Sequence, residues 1–230
     1  MNKISIIIPV FNEVNSIIKL VSHLENKAFQ KKTIEIIAVD GGSTDGSQDK
    51  IKASSNVKLV QAGKGRAIQM NVGAKVATGN VLYFLHCDSY PPHHFDRIIN
   101  DAIQQGRQAG CFRMKFDYAH PVLMVSQWFT RFNHISCRGG DQSLFVTKKL
   151  FDEIKGFNEQ FIIYEDNEII SRLYAKKQFV VIPEYIITSA RRYQQNGVWR
   201  LQYHFIIIHL KRRLGHSTES MLQYYKKNIR

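Results

Sequence analysis

Runs of apolar residues alternate with amphipathic stretches along the first part of the chain. Residues 4–10, 34–39, 57–60 and 81–85 are mainly apolar runs, interrupted only by Ser5, Glu35 and Lys58, and such runs are typical of strands buried on both faces. Residues 15–24 and 66–77 carry the helical spacing expected between such strands. The alternation predicts βαβ units and an α/β fold with an open, mostly parallel sheet flanked by helices.

The second half of the chain mixes strand and helix patterns. Residues 110–118, 143–146 and 179–182 predict strands, whereas 121–132 and 198–213 predict helices. No internal repeat or linker interrupts the chain. Its 230 residues are expected to form one main domain over residues 1–190 and a basic helical extension over residues 191–230.

Composition narrows the classes of function. A hydrophobic fraction of 44% and a charged fraction of 22% predict a folded chain with a sizeable core. The net charge of +13 suggests a nucleic-acid partner, but nine Lys/Arg against one acid fall within residues 185–230. Because the charge is terminal and no RNP, zinc or helix-turn-helix signature accompanies it, we expect no nucleic-acid partner.

Cysteine usage and hydropathy predict a cytoplasmic protein. The three cysteines form no CxxC pair, which favours a reducing compartment. The N-terminal apolar run ends at Pro9, too early for a signal peptide. For the C-terminal basic helix two alternatives stay open: it packs on the main domain, or it lies on the inner face of an anionic membrane.

Polar or glycine-rich segments follow all four strands of the first half. In chain order they contain Asn12 and Glu13, then Asp40 and Gly41, then Gly65 and Arg66, then His86 and Asp88. The carboxyl ends of parallel strands share one edge of a sheet, and ligands bind there. We therefore expect these segments to converge on one ligand site.

The individual segments allow both functional and structural interpretations. Asp40 suits a nucleoside base or a ribose hydroxyl, or it is a solvated residue of an ordinary turn. Arg66 at a helix N-terminus suits a diphosphate, or it belongs to a basic turn. Asp88 suits Mg²⁺ or Mn²⁺, or it caps a helix. For Glu165 and Asp166, spacing alone favours acids that interact with the dipole of a helix over a general base.

Four separated segments together resemble a known family. SIIIPVFNE, IIAVDGGSTDGS, LHCDS and YEDNEIISRL are similar, in order and separation, to motifs of family 2 glycosyltransferases with the GT-A fold. GGDQSLFV and GVWR resemble a small, stand-alone bacterial subgroup sometimes found beside radical-SAM genes. One departure is His86, which replaces the first Asp of the family's DxD motif.

The resemblance implies an enzyme that uses a nucleoside-diphosphate sugar, UDP-linked, and a divalent metal, Mn²⁺ or Mg²⁺. Asp166, with Glu165 beside it, would be the catalytic base for an unknown acceptor hydroxyl, and configuration would invert. Asp88 would hold the metal. The expected nucleotide-sugar site comprises Pro9, Asn12, Glu13, Asp40, Gly41, Gly65, Arg66, Gln69, His86, Asp88, Gly140 and Asp141. The rival functions are a nucleotidyltransferase, a non-catalytic sugar-nucleotide binder and a basic nucleic-acid-binding module.

Overall fold

The structure, a computed structural model, describes residues 1–229. Within them the strands are β1 (Ile4–Val10), β2 (Ile34–Asp40), β3 (Val57–Gln61), β4 (Val81–Phe84), β5 (Ser89–Tyr90), β6 (Ala109–Phe116), β7 (Leu144–Thr147) and β8 (Phe179–Thr188). The α-helices are α1 (Ile17–Lys27), α2 (Ser47–Lys52), α3 (Arg66–Val76), α4 (Phe95–Gln104), α5 (Pro121–Phe129), α6 (Lys148–Glu153), α7 (Glu165–Ala175), α8 (Arg191–Asn196), α9 (Val198–Arg213) and α10 (Thr218–Asn228).

The strands form one sheet in the order β3-β2-β1-β4-β7-β6-β8-β5. The strands β3, β2, β1 and β4 are parallel, so their carboxyl ends share one edge. Beyond β4 the sheet is mixed: β7 is antiparallel to β4 and β6, β8 is parallel to β6, and β5 is antiparallel to β8. This confirms the predicted α/β fold.

Burial on both faces of the sheet explains the mainly apolar runs. Ile6 and Ile8 of β1 pack into a core shared with α1 and α4, whereas Ile7 packs into a second core with α3, α6 and α7. Gly73 lets α3 approach the sheet closely. A Cβ atom at this position would overlap Ile7 Cγ2 and lie 3.0 Å from Val39 Cγ2.

Two features of the fold differ from the prediction. Strand β8 has ten residues and continues past Pro183, because the register jumps from Ile182 opposite Phe112 to Tyr185 opposite Arg113. A bulge of this kind accommodates a proline, which cannot donate to the ladder. Helix α4 was not predicted, although Phe95, Ile99 and Ala102 recur at helical spacing; two further residues of the helix, Asp96 and Asn100, are polar yet buried. One of them, Asp96, accepts hydrogen bonds from the backbone N–H groups of Phe29 and Gln30.

The helices after residue 190 form a small cluster of their own. Leu201 and Ile208 of α9 pack with Met221 of α10 and with Ile229, and partly buried Ile163 and Tyr164 contact this cluster. The predicted division at residue 190 stays a prediction, and Arg230 lies outside the described residues. Within residues 1–229, the structure has no helix with the length and apolar character that crossing a bilayer requires.

Candidate active site

The carboxylate of Asp40 holds the turn after β2 in place. Asp40 is buried, and its Oδ2 accepts hydrogen bonds from the backbone N–H groups of Gly42 and Ser43 and from the side-chain amide of Gln48, at 2.9–3.0 Å. Its Oδ1 has a longer contact of 3.3 Å, with the N–H of Ser43. Asp40 therefore shapes the turn and leaves one oxygen less fully bonded.

Asn12 joins the turn after β1 to the turn after β2. Its backbone N–H donates to Ser43 Oγ, and its side-chain oxygen accepts from the N–H of Thr44, at 2.9 Å each. The φ angle of Asn12 is 55°, a left-handed conformation that asparagine adopts more readily than most residues. The adjacent Glu13 lies 3.5 Å from the guanidinium of Arg191, so the C-terminal part of the chain also reaches this edge.

Gln69 supports the same edge from α3. Its side-chain amide donates to the carbonyl oxygens of Val10 and Val39, at 2.8 and 2.7 Å, and the residue is only 3% exposed. A Cβ atom on Gly41 would lie 3.0 Å from this amide, so glycine permits the close approach. In the structure Gln69 holds the ends of β1 and β2 together, and its assignment to the ligand site stays a prediction.

The segment before α3 brings a cation to the edge of the sheet. Gly65 has a φ angle of 143°, which favours glycine, and Arg66 follows as the first residue of the helix. The Arg66 guanidinium lies 3.6 Å from the carboxylate of Glu165, and its side chain is 42% exposed. Arg66 is thus anchored at one side while it stays open to a ligand.

A cavity of about 810 Å³ lies beyond the end of β4. Its polar lining includes Arg66, His86, Gly140, Asp141, Glu165 and Asp166, whereas β6, α5 and α9 contribute apolar side chains. Eight of the predicted site residues are outside this lining: Pro9, Asn12, Glu13, Asp40, Gly41, Gly65, Gln69 and Asp88. The predicted residues therefore fall into two groups, one at the ends of the parallel strands and in the segments that follow them, and one around the cavity.

His86 lies between two carboxylates in the cavity. Its Nδ1 is 3.6 Å from Asp141 Oδ1, and its Nε2 is 3.7 Å from Asp166 Oδ2. Burial and the Arg66 charge oppose protonation of the imidazole, but Asp141 and Asp166 outweigh them and raise the pKa of His86. Although burial opposes ionisation of Asp141, His86 and Arg66 lower the pKa of that carboxyl group. Three residues far apart in sequence thus form one cluster of interacting charges.

The backbone at Gly140 packs closely against this cluster, which leaves no room for a side chain at that position. A Cβ atom there would overlap Asp166 Oδ2 and would lie 3.0 Å from His86 Cε1. Only glycine therefore lets the backbone of residues 139–141 pass beside both side chains. The same passage places Asp141 against His86.

Glu165 is the most strongly perturbed acid of the cavity. It is 4% exposed, at the first position of α7. Burial and the neighbouring charge of Asp166 raise the pKa of Glu165 to about 7, although Arg66 acts in the opposite direction. The adjacent Asp166 is less deeply buried than Glu165, because its side chain is 14% exposed.

Few of the side chains at the site are placed to bind a divalent metal. Within residues 1–229, no group of three His, Cys, Asp or Glu side chains is arranged to hold a metal ion. His86 faces Asp141 and Asp166, which leaves Asp88, a half-buried residue, as the candidate ligand. One carboxylate fits Mg²⁺ or Mn²⁺ when substrate phosphates and waters supply the other ligands.

The sequence prediction missed two arginines of the site. Arg191 contacts Glu13, and Arg192 lines the cavity and contributes to the lowered pKa of Asp141. Both follow directly after β8, where paired charges behind an apolar strand are the same signal that identified Asp40 and Asp88. In the sequence, the two arginines are first noticeable as part of the basic C-terminal charge.

Comparison with known proteins shows what this chain is similar to. A family model described as Glycosyl transferase family 2 matches residues 5–157. A dolichyl N-acetyl-alpha-D-glucosaminyl phosphate 3-beta-D-2,3-diacetamido-2,3-dideoxy-beta-D-glucuronosyltransferase of Methanococcus voltae is 35% identical over 102 residues, 41% of this chain and 32% of that protein. A dolichol-phosphate mannosyltransferase of Pyrococcus furiosus is 33% identical over 110 residues, 45% of this chain and 31% of that protein. The matches thus span about a third of these relatives' length.

Solved structures share the fold. S. aureus TarS 1–349 in complex with UDP has a TM-score of 0.68 at 21% identity, over 81% of this chain and 60% of that one. The mannosyltransferase PcManGT from Pyrobaculum calidifontis, in complex with GDP-Man and Mn²⁺, has a TM-score of 0.69 at 15% identity. That match covers 90% of this chain and 62% of the mannosyltransferase.

Proposed function

This chain belongs to glycosyltransferase family 2, and on that premise we propose that it moves a sugar from a nucleoside-diphosphate donor to an acceptor hydroxyl with inversion of configuration. The observation that carries the proposal is Asp166. Its carboxylate is nearly buried, faces His86 at 3.7 Å, and lines a cavity at the carboxyl edge of the parallel strands. A carboxylate held in such a place can accept a proton from a hydroxyl group.

For the donor we propose a UDP-linked sugar. TarS structures contain UDP and UDP-GlcNAc, while the mannosyltransferase structure contains GDP-Man. The nucleoside would lie against the Asp40 turn and the Asn12–Glu13 segment. The diphosphate would lie by Arg66, where the N-terminus of α3 and the guanidinium both favour negative charge.

A divalent cation, Mn²⁺ or Mg²⁺, belongs to the proposed site, with Asp88 as its protein ligand. When bound, it supplies positive charge that stabilises the departing diphosphate. Arg66 and Arg192 supply fixed positive charge from the cavity wall, and Arg191 supplies it from beside Glu13. These positive charges stabilise the departing diphosphate in the transition state, because the leaving group gains negative charge during the reaction.

The transfer is a single displacement. The acceptor oxygen attacks the anomeric carbon, and the bond from that carbon to the diphosphate oxygen breaks with its electron pair. The acceptor proton passes to an oxygen of Asp166. Since attack and departure occur on opposite faces of the carbon, the configuration inverts. His86 and Gly140 position the Asp166 carboxylate for this step.

The test is the variant Asp166→Asn, which keeps the size of the side chain but cannot take the proton. We expect turnover to fall by about 10²- to 10⁴-fold, while UDP still raises the melting temperature as it does in the wild type. Asp152→Asn, at an exposed position of α6, is the matched control. Wild-type turnover in Asp166→Asn would show that this residue is not the base.

Product analysis separates the rival functions. A glycosyltransferase releases a nucleoside diphosphate, a nucleotidyltransferase releases pyrophosphate, and a non-catalytic binder releases neither. The resemblance to the small bacterial subgroup and the cytoplasmic location stay predictions.

A further inference from the structure

Helix α9 has an apolar stripe that nothing covers in the described chain. Leu201 and Ile208 pack inward, yet a second apolar set recurs every three or four residues on the exposed side. The members of this set are between 45% and 78% exposed: Trp199, Tyr203, Ile206, Leu210 and Leu214. A helix with two apolar faces needs a second partner.

Helix α5 and the loop after it present a second exposed apolar group. The rings of Trp128, Phe129 and Phe132 contact one another, with centroids 5.0–6.1 Å apart. Each of these rings is at least 44% exposed. The neighbouring exposed members of the group are Met124, Val125 and Ile135.

A buried arginine holds this exposed group in position. Arg138 is 5% exposed, and its guanidinium donates to the carbonyl oxygens of Thr130 and Phe132 and to Cys111 Sγ on β6. The loop after α5 is therefore fastened to the sheet. The apolar rings are held at the surface by buried hydrogen bonds.

The two apolar groups border the same cavity. Ser126 and Phe129 of α5, and Ile206 and His209 of α9, line the cavity that also contains Asp166. Its apolar lining continues inward through Met114, Phe116 and Phe205. We call the exposed groups of α5 and α9, with the cavity mouth between them, the α5–α9 face.

The charged side chains of α5, of the loop after it and of α9 have one sign, in contrast to the acids Asp141, Glu165 and Asp166 that line the cavity. Residues 121–140 and 198–218 contain no Asp or Glu, whereas they contain Arg131 and the sequence Lys211-Arg212-Arg213. The Arg131 guanidinium lies 4.8 Å from the Trp128 ring centroid. Aromatic side chains beside cations are typical of surfaces that bind anionic lipid. A symmetric contact with a second copy would bring like charges together.

We propose that the α5–α9 face rests on an anionic bilayer, and that the acceptor is a lipid whose hydroxyl-bearing head enters the cavity. The acceptor part of this inference rests on the proposed function, since it assigns the acceptor of the Asp166 reaction. The apolar cavity lining suits a hydrocarbon chain better than a free sugar, which would leave that surface exposed to water.

The first experiment measures sedimentation of the full chain with phosphatidylcholine vesicles, with and without roughly a third of phosphatidylglycerol. We expect binding to the anionic vesicles that weakens as salt is added. The double variants Trp128→Ser/Phe132→Ser and Ile206→Ser/Leu210→Ser should each lower the partition coefficient by about tenfold or more. Phe29→Ser, which changes an aromatic residue 49% exposed outside the face, should bind like the wild type.

A second experiment addresses the acceptor. Octyl and dodecyl β-glucoside, each below its critical micelle concentration, would be titrated against the protein with intrinsic fluorescence as the signal. Burial of four more methylene groups should strengthen binding by about tenfold or more. Met114→Asp, which places a charge in the cavity lining, should reduce the chain-length dependence. Equal affinity of the wild type for both glucosides would exclude a lipid chain in the cavity.

The outcomes distinguish this inference from the proposed function. If UDP stabilises the protein but anionic vesicles do not bind it, the membrane inference is wrong and the glycosyltransferase proposal stands. If vesicles bind but no nucleoside diphosphate stabilises the protein, the proposed donor site is wrong. A dimer in gel filtration that the two double variants abolish, without vesicle binding by the wild type, would make the face a contact between copies.

Discussion

Replacing Glu165 with glutamine should stabilise the protein above neutral pH. Glu165 is 4% exposed, and burial together with the charge of Asp166 raises its pKa to about 7, from 4.5. The folded state therefore retains a proton that the unfolded chain releases between these pH values. The contribution of protonated Glu165 to the free energy of unfolding is fully present below pH 4.5 and is lost as the pH rises through about 7.

The size of the effect follows from the shift. A difference of about 2.5 pH units at about 1.4 kcal/mol per unit corresponds to about 3 kcal/mol. This is the cost of holding Glu165 ionised in the folded state above pH 8, and glutamine removes it. The free energy of unfolding of Glu165→Gln should exceed that of the wild type by about 1 kcal/mol at pH 5 and by about 3 kcal/mol at pH 8.

Urea denaturation at half-unit steps from pH 5 to pH 8 measures this difference. Other titrating groups, such as His86, are present in both proteins and largely cancel in the comparison. Glu184→Gln, at an exposed position in the bulge of β8, is the control and should show no pH-dependent gain. A difference that stays constant with pH, or a less stable Glu165→Gln at pH 8, would refute the assignment of Glu165 as a destabilised buried acid.

Three further predictions follow from the site and the core. Gly140→Ala should lower turnover by about tenfold or more, because its Cβ would displace Asp166, with little loss of UDP binding in a thermal-shift assay. Gly73→Ala should lower the free energy of unfolding by about 1–3 kcal/mol in urea, because its Cβ would overlap Ile7 in the core. In a thermal-shift panel of UDP, GDP, dTDP and CDP, we expect UDP to stabilise the protein most, more so with Mn²⁺, and Asp88→Asn to remove the metal's contribution. A panel in which no nucleoside diphosphate raises the melting temperature would contradict the donor site.

Local patterns were sufficient for the parallel half of the sheet. The apolar run of β1 was predicted with its observed bounds, and the strands ending at Asp40 and Phe84 were predicted to within one residue. Such runs report burial directly, because a strand covered on both faces needs apolar residues at most of its positions. The position of a polar residue behind such a run also predicted that Asp40 would lie at the carboxyl edge of the parallel strands, where the structure has it.

Other residues have roles that local patterns do not show. Asp96 is polar yet buried, because it bonds to the backbone of a distant loop. Gln69 stays a predicted ligand residue, and the structure adds that its amide joins the ends of β1 and β2. A sequence shows that a side chain is polar, but only its neighbours in the fold decide whether that polarity serves a ligand or the protein itself.

By itself, the sequence determined the class of fold, the positions of the strands along its first half and the residue types at their ends. Only the tertiary structure decided that His86 lies between Asp141 and Asp166, that Gly140 passes beside them and that Arg192 lines the same cavity. It also raised the pKa of Glu165. The reason is that strand and helix periodicity depend on neighbours along the chain, whereas charge, burial and close contact at the site depend on residues brought together from distant positions.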